Sequence, residues 1–214
     1  MRLAGLYAIT PECADSETLL AKVRAALAHA HLGGWAALQY RSESAQAARR
    51  AAEAAALCAL CRARGVPFIV NDDLELALAS GADGVHLGRD DVGIAEARER
   101  LGSGRCLGAS CYDELELARA AVAAGADYAA FGSVFASPTK PAAVRAPLEL
   151  FARARTLGVP LVAIGGITAD NAAAVIRAGA HCVAVISDLF DAPDIDARAR
   201  AYTALFRNQP SVCA

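Results

Sequence analysis

A pair of polar side chains ends one of the apolar segments of this sequence, Leu38-Gln39-Tyr40-Arg41. Gln39 and Arg41 are separated by one residue, so in an extended strand they point to the same side. A guanidinium at a strand end can bind an anion through two parallel hydrogen bonds. The same residues are compatible with a surface arginine whose stem covers apolar atoms while its charge stays in water. The pattern therefore predicts either an anion-binding pair or a solvated arginine.

Carboxylates follow two further apolar segments. Asn71 and Asp72 end the first of them, and Asp91 comes shortly after His86 in the second. Carboxylates at adjacent strand ends can share one Mg²⁺, which takes oxygen ligands and leaves positions for substrate phosphates. Aspartate is equally typical of a helix N-cap, so the spacing leaves both interpretations open. His86 lies inside an apolar strand, which favours a packed, hydrogen-bonded histidine over a general base.

Hydroxyl groups and a lysine could bind a second anion. Lys140 is one of two lysines among the 21 basic residues, and it shares a proline-containing segment with Ser137 and Thr139. Prolines reduce the conformational entropy that such a loop loses on ordering. An anion clamp and an exposed tether both fit this composition. Ser110 ends another apolar segment with no histidine in the loop that follows, so we expect a hydrogen-bonding residue and not an activated nucleophile.

Eight short apolar segments predict the elements that hold these groups. Continuous apolar runs of this length are typical of strands buried on both faces of a parallel sheet. Alanine-rich stretches between them, such as 44–64 and 113–124, have the composition of helices. The predicted strands are residues 5–10, 35–41, 68–72, 84–88, 106–110, 128–132, 161–166 and 182–187.

Strand and helix alternate through the chain, which predicts an α/β fold, a single-domain (β/α)8 TIM barrel with parallel strands. The alternative is a doubly wound open sheet. That fold usually carries a G-x-G-x-x-G turn after its first strand, whereas Thr10-Pro11-Glu12 follows here. We expect residues 1–208 to form the barrel domain and residues 209–214 to form a loose tail.

In a barrel of this kind the active site lies at the carboxyl ends of the strands. The segments after the last two predicted strands contain Gly165-Gly166 and Ile186-Ser187. Paired glycines allow backbone amides to approach a ligand closely, and these two loops often form the phosphate site of the fold. The sequence therefore predicts a phosphomonoester site there.

Composition argues against several classes of protein. The chain has 21 basic and 23 acidic residues and 56% hydrophobic residues, which is atypical of both nucleic-acid binding and disorder. No apolar run is long enough to span a membrane, and no signal-peptide pattern opens the chain. The seven cysteines are an odd number, so we expect free thiols and a cytoplasmic location. Cys58 and Cys61 lack a second ligand pair and are interpreted as buried helix thiols.

Taken in order, these segments resemble the thiamin-phosphate synthase (thiamin-phosphate pyrophosphorylase) family. The resemblance runs from Leu6 to about Phe190, nearly the whole chain. Each motif is weak alone, and the order and spacing of all of them are specific. The motifs are GLYAIT, LQYR, IVNDD, GVHLG-x-DD, LGAS, FGSVFASPTKP, VAIGGI and VAVIS.

The resemblance implies a Mg²⁺-dependent transferase of thiamin biosynthesis. Such enzymes join 4-amino-2-methyl-5-hydroxymethylpyrimidine diphosphate to 4-methyl-5-(2-phosphoethyl)thiazole, giving thiamin phosphate and pyrophosphate. Pyrophosphate leaves in a dissociative step, and the thiazole nitrogen captures the pyrimidine cation. Cations and oriented dipoles stabilise such a polyanionic leaving group. The implied partners are these small molecules, with no nucleic acid and no membrane, and the composition is compatible with a homodimer.

The matched motif positions also imply roles for individual residues. Asp72 and Asp91 would hold Mg²⁺, and Ser110, Lys140 and Arg41 would be the catalytic residues. The implied substrate contacts are Gln39, Arg41, Asn71 and Lys140 at the pyrimidine diphosphate, Ser110 beside the reacting pyrimidine and pyrophosphate, and Ser137, Thr139, Gly166, Ile186 and Ser187 at the thiazole phosphate.

One position departs from the family pattern. The strand motif of the family usually reads Q-x-R-x-K, and this chain keeps Gln39 and Arg41 but has Glu43 in place of the lysine. Exchanging a cation for an anion beside a diphosphate is expected to cost on the order of 1–3 kcal/mol of binding free energy. Arg89 is a candidate for the compensating cation. Ser137 stands where threonine is common and keeps the hydroxyl.

Glu43 motivates an alternative function, a non-catalytic or regulatory paralogue that binds thiazole phosphate or thiamin phosphate. Thiazole tautomerases share the barrel and many motifs but generally have a histidine after the serine that matches Ser110. Cys111 and Tyr112 follow here, which argues against tautomerase activity. A Schiff-base aldolase that uses Lys140 is a third hypothesis, although a loop is a poor place for a desolvated amine nucleophile.

Overall fold

Eight parallel strands close into a barrel in sequence order, with the last strand hydrogen-bonded to the first. This computed structural model describes residues 3–136 and 144–207. The closed barrel confirms the predicted fold and rejects the open sheet. The strands are β1 (Gly5–Ile9), β2 (Trp35–Tyr40), β3 (Phe68–Asn71), β4 (Gly84–Leu87), β5 (Cys106–Tyr112), β6 (Tyr128–Gly132), β7 (Leu161–Ile164) and β8 (Cys182–Val185).

At least one helix follows each strand, and the helices cover the outside of the barrel. They are α1 (Ser16–Ala26), α2 (Ala47–Arg64), α3 (Leu74–Ser80), α4 (Ile94–Leu101), α5 (Leu115–Ala123), α6 (Glu149–Ala154), α7 (Ala172–Ala178), α8 (Ser187–Phe190) and α9 (Ile195–Arg207). Within the described ranges, none of these helices is both long and apolar enough to cross a membrane. The predicted tail, 209–214, lies outside the described residues.

Strand positions agree with the prediction, and the ends differ for local reasons. β7 ends two residues early because Gly165 and Gly166 have φ of 103° and 62°, a conformation that cannot continue a strand. β5 runs two residues farther than predicted, through a register shift after Ser110. Helix α2 begins later than residue 44 because the Ser44 hydroxyl accepts the Gln46 N–H and forms a turn instead.

Apolar side chains form two layers, one between strands and helices and one inside the barrel. The outer layer contains Cys58 and Cys61, which are buried in α2, so the interpretation as helix thiols is confirmed. The inner layer contains two tyrosines, Tyr7 and Tyr128, whose rings are fully buried among smaller apolar residues. Buried phenols require hydrogen-bond partners, so the barrel interior must also contain polar groups.

Gly108 on β5 makes room for the ring of Tyr128. A Cβ atom at Gly108 would lie 2.0 Å from Cζ of Tyr128. We expect Gly108→Ala to lower the free energy of unfolding by about 2–3 kcal/mol, because the added methyl group would overlap a fully buried ring. Gly104→Ala is the matched control, since no heavy atom lies within 4 Å of its added Cβ. Equal urea midpoints for the two variants would contradict this packing argument.

Candidate active site at the carboxyl rim of the barrel

The carboxyl ends of β2 to β5 bring together most of the predicted pyrimidine-diphosphate residues. Gln39 is buried at the end of β2, and Asn71 ends β3 opposite His86 of β4. Ser110 follows on β5, half-buried. Because parallel strands all end at the same rim, side chains far apart in sequence surround one opening.

A continuous chain of hydrogen bonds runs through the barrel interior between two of these residues. Gln39 Nε2 donates to the Tyr7 hydroxyl (3.0 Å), which is 2.7 Å from the Tyr128 hydroxyl. That hydroxyl is 3.0 Å from Nδ1 of His86, and Nε2 of His86 is 2.9 Å from Oγ of Ser110. We call these five residues the interior chain. The prediction of a packed, hydrogen-bonded His86 is confirmed.

Burial determines the charge of the interior chain. It lowers the pKa of His86 to about 4, although the negative charge of Asp91 opposes the shift. Burial also raises the pKa of Tyr7 and of Tyr128 above that of an ordinary phenol. All three groups are therefore neutral near pH 7. The roles of the two tyrosines were not predicted from the sequence, where the only signal is a tyrosine within each apolar strand segment.

Arg41 forms an ion pair with Glu43 at the rim. The Arg41 backbone is held by Thr10, since Oγ1 of Thr10 accepts the Arg41 N–H (2.9 Å) and is 3.1 Å from the Arg41 carbonyl oxygen, to which it donates. The Glu43 N–H donates to Oε1 of Glu12 at 2.8 Å. The Glu43 side chain is 69% exposed and that of Arg41 is 34% exposed. Glu43 thus pairs with the guanidinium that the family resemblance assigns to the diphosphate.

The aspartates at the ends of β3 and β4 have different environments. Asp73 caps α3 by accepting the Leu76 N–H (2.9 Å), so the N-cap interpretation holds for Asp73. Asp72 is exposed, has a φ of 62°, and donates its N–H to the His86 carbonyl at 2.8 Å. Oδ2 of Asp91 accepts the Gly88 N–H at 2.6 Å. Neither Asp72 nor Asp91 is the N-cap of the helix that follows it.

Metal ligation at this rim depends on carboxylate oxygens. Across residues 3–136 and 144–207 there is no group of three or more histidine, cysteine, aspartate and glutamate side chains arranged around a common point. Two carboxylates on adjacent strand ends nevertheless suit Mg²⁺, whose remaining ligands are commonly water and substrate phosphate oxygens. Asp72 and Asp91 therefore offer the type of oxygen donor that the predicted cation prefers.

Arg89 lies beside this rim. Its guanidinium pairs with Glu114 and stacks 4.8 Å from the ring centre of Tyr112. A cavity of about 150 Å³ opens here, lined by Arg89, Asp91 and Ser110 and by apolar side chains from the surrounding elements. Arg89 thus forms an ion pair with Glu114, as Arg41 does with Glu43.

The glycine-containing loops after β7 and β8 form the other side of the rim. At Gly166, an added Cβ would lie 2.3 Å from the Ala136 carbonyl oxygen, and the Gly166 carbonyl accepts a hydrogen bond from Asn171. Ile186 precedes α8, and Ser187 is exposed at its first turn. The predicted residues Ser137, Thr139 and Lys140 lie outside the described residues.

Asp188 ties these two loops together, a role that was not predicted from the sequence. Its carboxylate accepts the Ala169 N–H (3.2 Å) from the β7 loop and the Tyr202 hydroxyl (2.6 Å) from α9. Arg198 adds contacts of 2.8 Å to both oxygens. The Asp188 carboxylate therefore holds the loop after β7, helix α8 and helix α9 together.

Comparison with known proteins relates the whole chain to one family. The family model described as thiamine monophosphate synthase matches residues 6–189. The chain is 62% identical over 206 residues to a thiamine-phosphate synthase of Aromatoleum aromaticum, covering 96% of this chain and 97% of that protein. It is 59% identical over 207 residues to a thiamine-phosphate synthase of Thiobacillus denitrificans, covering 96% of each chain.

A solved structure gives the same result. The thiamine phosphate pyrophosphorylase of Pyrococcus furiosus superposes with a TM-score of 0.80 at 34% identity, covering 95% of this chain and 96% of that one. The family model, the full-length relatives and the solved structure all point to the same family. The chain belongs to the thiamine monophosphate synthase family.

Proposed function

We propose that this protein condenses the pyrimidine diphosphate with the thiazole phosphate to give thiamin phosphate and pyrophosphate. The observation that carries the proposal is that the residues assigned to the two phosphorylated substrates lie on two sides of one rim. Arg41, Asp72 and Asp91 lie on the β2–β4 side, and the backbone amides at Gly166 and Ser187 lie on the β7–β8 side. Two phosphorylated substrates require two such sides that face one reaction centre.

On the first side, the chain binds and orients the pyrimidine diphosphate. Gln39 and Asn71 would contact the ring, while Arg41 and Lys140 would hold the diphosphate oxygens. Mg²⁺, held by Asp72 and Asp91, would supply positive charge that neutralises the leaving group. The Ser110 hydroxyl would donate a hydrogen bond to the departing oxygen, where negative charge develops.

On the second side, backbone amides and hydroxyls bind the thiazole phosphate. The implied residues are Gly166, Ile186 and Ser187, together with Ser137 and Thr139. With both substrates bound, the bond between the pyrimidine methylene carbon and the diphosphate oxygen breaks, and its electron pair leaves with pyrophosphate. The thiazole nitrogen lone pair then forms the new bond to that carbon. The enzyme contributes position and electrostatic stabilisation, with no covalent enzyme intermediate.

The direct test is an assay with both substrates and Mg²⁺, in which thiamin phosphate is oxidised to fluorescent thiochrome. Product that forms with Mg²⁺ and disappears with EDTA is the expected result. Folded protein that binds thiazole phosphate but forms no product would support the non-catalytic paralogue instead. The full-length similarity to thiamine-phosphate synthases favours the catalytic function.

The six unpaired cysteines of the described residues support a reducing, cytoplasmic location for this activity.

We expect Glu43→Lys to lower the KM for the pyrimidine diphosphate by about tenfold, because it releases Arg41 and adds a second cation. The matched control is Glu75→Lys, which makes the same charge change. Glu75 forms an equally exposed pair with Arg100 between two outer helices. Steady-state kinetics at two salt concentrations measure the effect. An unchanged KM, or an equal shift in the control, would contradict a role for Glu43 at the diphosphate.

A further inference from the structure

The hydrogen bonds of the interior chain share one donor-to-acceptor direction, because each of its inner groups has only one proton to donate. Each tyrosine or serine hydroxyl donates one hydrogen bond, and a neutral imidazole donates from one ring nitrogen and accepts at the other. The three inner groups, Tyr7, Tyr128 and His86, each have one neighbour on either side in the chain. Every hydrogen bond must therefore point the same way along the chain, towards Ser110 or towards Gln39.

The amide of Gln39 determines which direction is adopted. Its Nε2 group can only donate, so the Tyr7 hydroxyl accepts from it and must donate to Tyr128. Tyr128 then donates to Nδ1 of His86, and His86 carries its proton on Nε2 and donates to Ser110. If His86 carried its proton on Nδ1, it would donate to Tyr128, and Tyr128 would then donate to Tyr7. The Tyr7 proton would in turn point at the NH₂ group of Gln39, which cannot accept it. The arrangement thus requires one tautomer of His86.

This direction determines what each end of the interior chain offers to a ligand. The Ser110 hydroxyl accepts from His86, so its own proton is available for donation. At the other end, Gln39 uses Nε2 inside the barrel and has its carbonyl oxygen available as an acceptor. A hydroxyl donor suits an oxygen that gains negative charge, and a carbonyl acceptor suits an exocyclic amino group.

We propose that Tyr7, Tyr128 and His86 are positioning residues that hold Ser110 as a donor to the departing diphosphate and Gln39 as an acceptor towards the pyrimidine amino group. The inference rests on the proposed function for the identity of the ligand. The physical basis is that three buried groups with matched donors and acceptors fix a proton position that solvent would otherwise randomise. None of the three needs to touch the substrate.

The tautomer of His86 tests the direction without any assay of activity. The protein has four histidines, so ¹⁵N-histidine labelling gives a simple spectrum, and loss of one signal set in His86→Gln assigns it. We expect long-range ¹H–¹⁵N correlations at pH 7 to show His86 protonated on Nε2 alone. Protonation on Nδ1, or on both nitrogens, would overturn the proposal.

A double-mutant cycle tests the positioning role. We expect Ser110→Ala to lower kcat by roughly a hundredfold, because it removes the donor. Tyr128→Phe should lower kcat by about tenfold while the KM for thiazole phosphate changes by less than about twofold. In the Ser110→Ala background, Tyr128→Phe should cause no further loss, since the group that it positions is already absent.

Tyr40→Phe is the matched control for losing a buried phenol. The Tyr40 hydroxyl donates to Glu53 (2.6 Å) outside the interior chain, so this variant should lose stability and keep its kcat. Multiplicative losses in the double mutant, or an unchanged kcat in Tyr128→Phe, would overturn the positioning role. A wild-type protein that makes no product would instead refute the proposed function. The His86 tautomer would still report the direction of the hydrogen bonds in the interior chain.

Discussion

Asp72→Asn is expected to reduce the rate of thiamin phosphate formation by at least about a hundredfold. The substitution removes one negative charge from the pair of carboxylates, Asp72 and Asp91, that we assign to Mg²⁺. With weaker cation binding, the leaving diphosphate loses much of its charge stabilisation. The rate should recover in part at high Mg²⁺, because the oxygen of asparagine remains a weak ligand.

The fold should tolerate this substitution. Asp72 has a φ of 62°, a conformation in which asparagine and aspartate are far more common than other residues with a side chain. Its N–H bond to the His86 carbonyl is a backbone contact and is retained in the variant. A loss of activity in Asp72→Asn can therefore be read as a loss of chemistry and not of structure.

The neighbouring residue provides the matched control. Asp73 caps α3 and pairs with Arg50, and asparagine caps a helix about as well as aspartate. Asp73→Asn should therefore keep its activity. The measurement is thiochrome fluorescence over a Mg²⁺ titration of both variants. Wild-type kinetics in Asp72→Asn, or the same loss in both variants, would contradict the assignment of Asp72 to the cation.

The second large effect concerns stability. Glu53→Ala is expected to lower the free energy of unfolding by about 3–5 kcal/mol, as for other buried ion pairs that lose one partner. The Glu53 carboxylate is 2% exposed and accepts hydrogen bonds from Ser16 (2.7 Å), Tyr40 (2.6 Å) and Arg49 (2.8 Å). Its removal leaves a buried phenol and a guanidinium without their common acceptor.

The position of Glu53 explains the size of the effect. Arg49 also donates to the carbonyl oxygens of Cys13 and Ala14, so Glu53 holds the β1–α1 loop against α2 through Arg49. Glu99→Ala is the control, because Glu99 is exposed on α4 and should cost little. Urea unfolding compares the two variants. A loss below about 1 kcal/mol in Glu53→Ala would contradict the argument.

The contribution of Glu53 should also depend on pH. Burial alone would raise the pKa of Glu53, but hydrogen bonds from Tyr40, Ser16 and Arg49 outweigh burial and lower it. A carboxyl group whose pKa is lowered by folding stabilises the protein above its unfolded pKa, about 4.3, and this contribution is lost as pH falls through the folded value. The stability difference between wild type and Glu53→Gln should be largest near pH 7 and shrink in acid. A stability difference that does not change with pH would contradict an ionised Glu53 in the folded protein.

The barrel and the location of its active rim could be predicted from the sequence. Each strand is a short apolar run such as 68–72 or 106–110, and burial on both faces makes such a run recognisable without knowledge of its neighbours. Parallel strands in sequence order then bring all carboxyl ends to one rim. Gln39, Asn71, Asp72 and Ser110 could therefore be assigned to this rim by position, whereas their roles at the substrates stay a prediction from the family resemblance.

The partners of those residues depended on the tertiary structure. Tyr7 and Tyr128 are 121 residues apart, and their hydroxyls meet only because the closed barrel brings both rings into its interior. The local pattern of apolar residues determines which segments become strands, because the burial of a strand depends on the combined hydrophobicity of several consecutive residues. A hydrogen bond requires two atoms within about 3 Å, and only the stagger of strands around the closed barrel determines that distance.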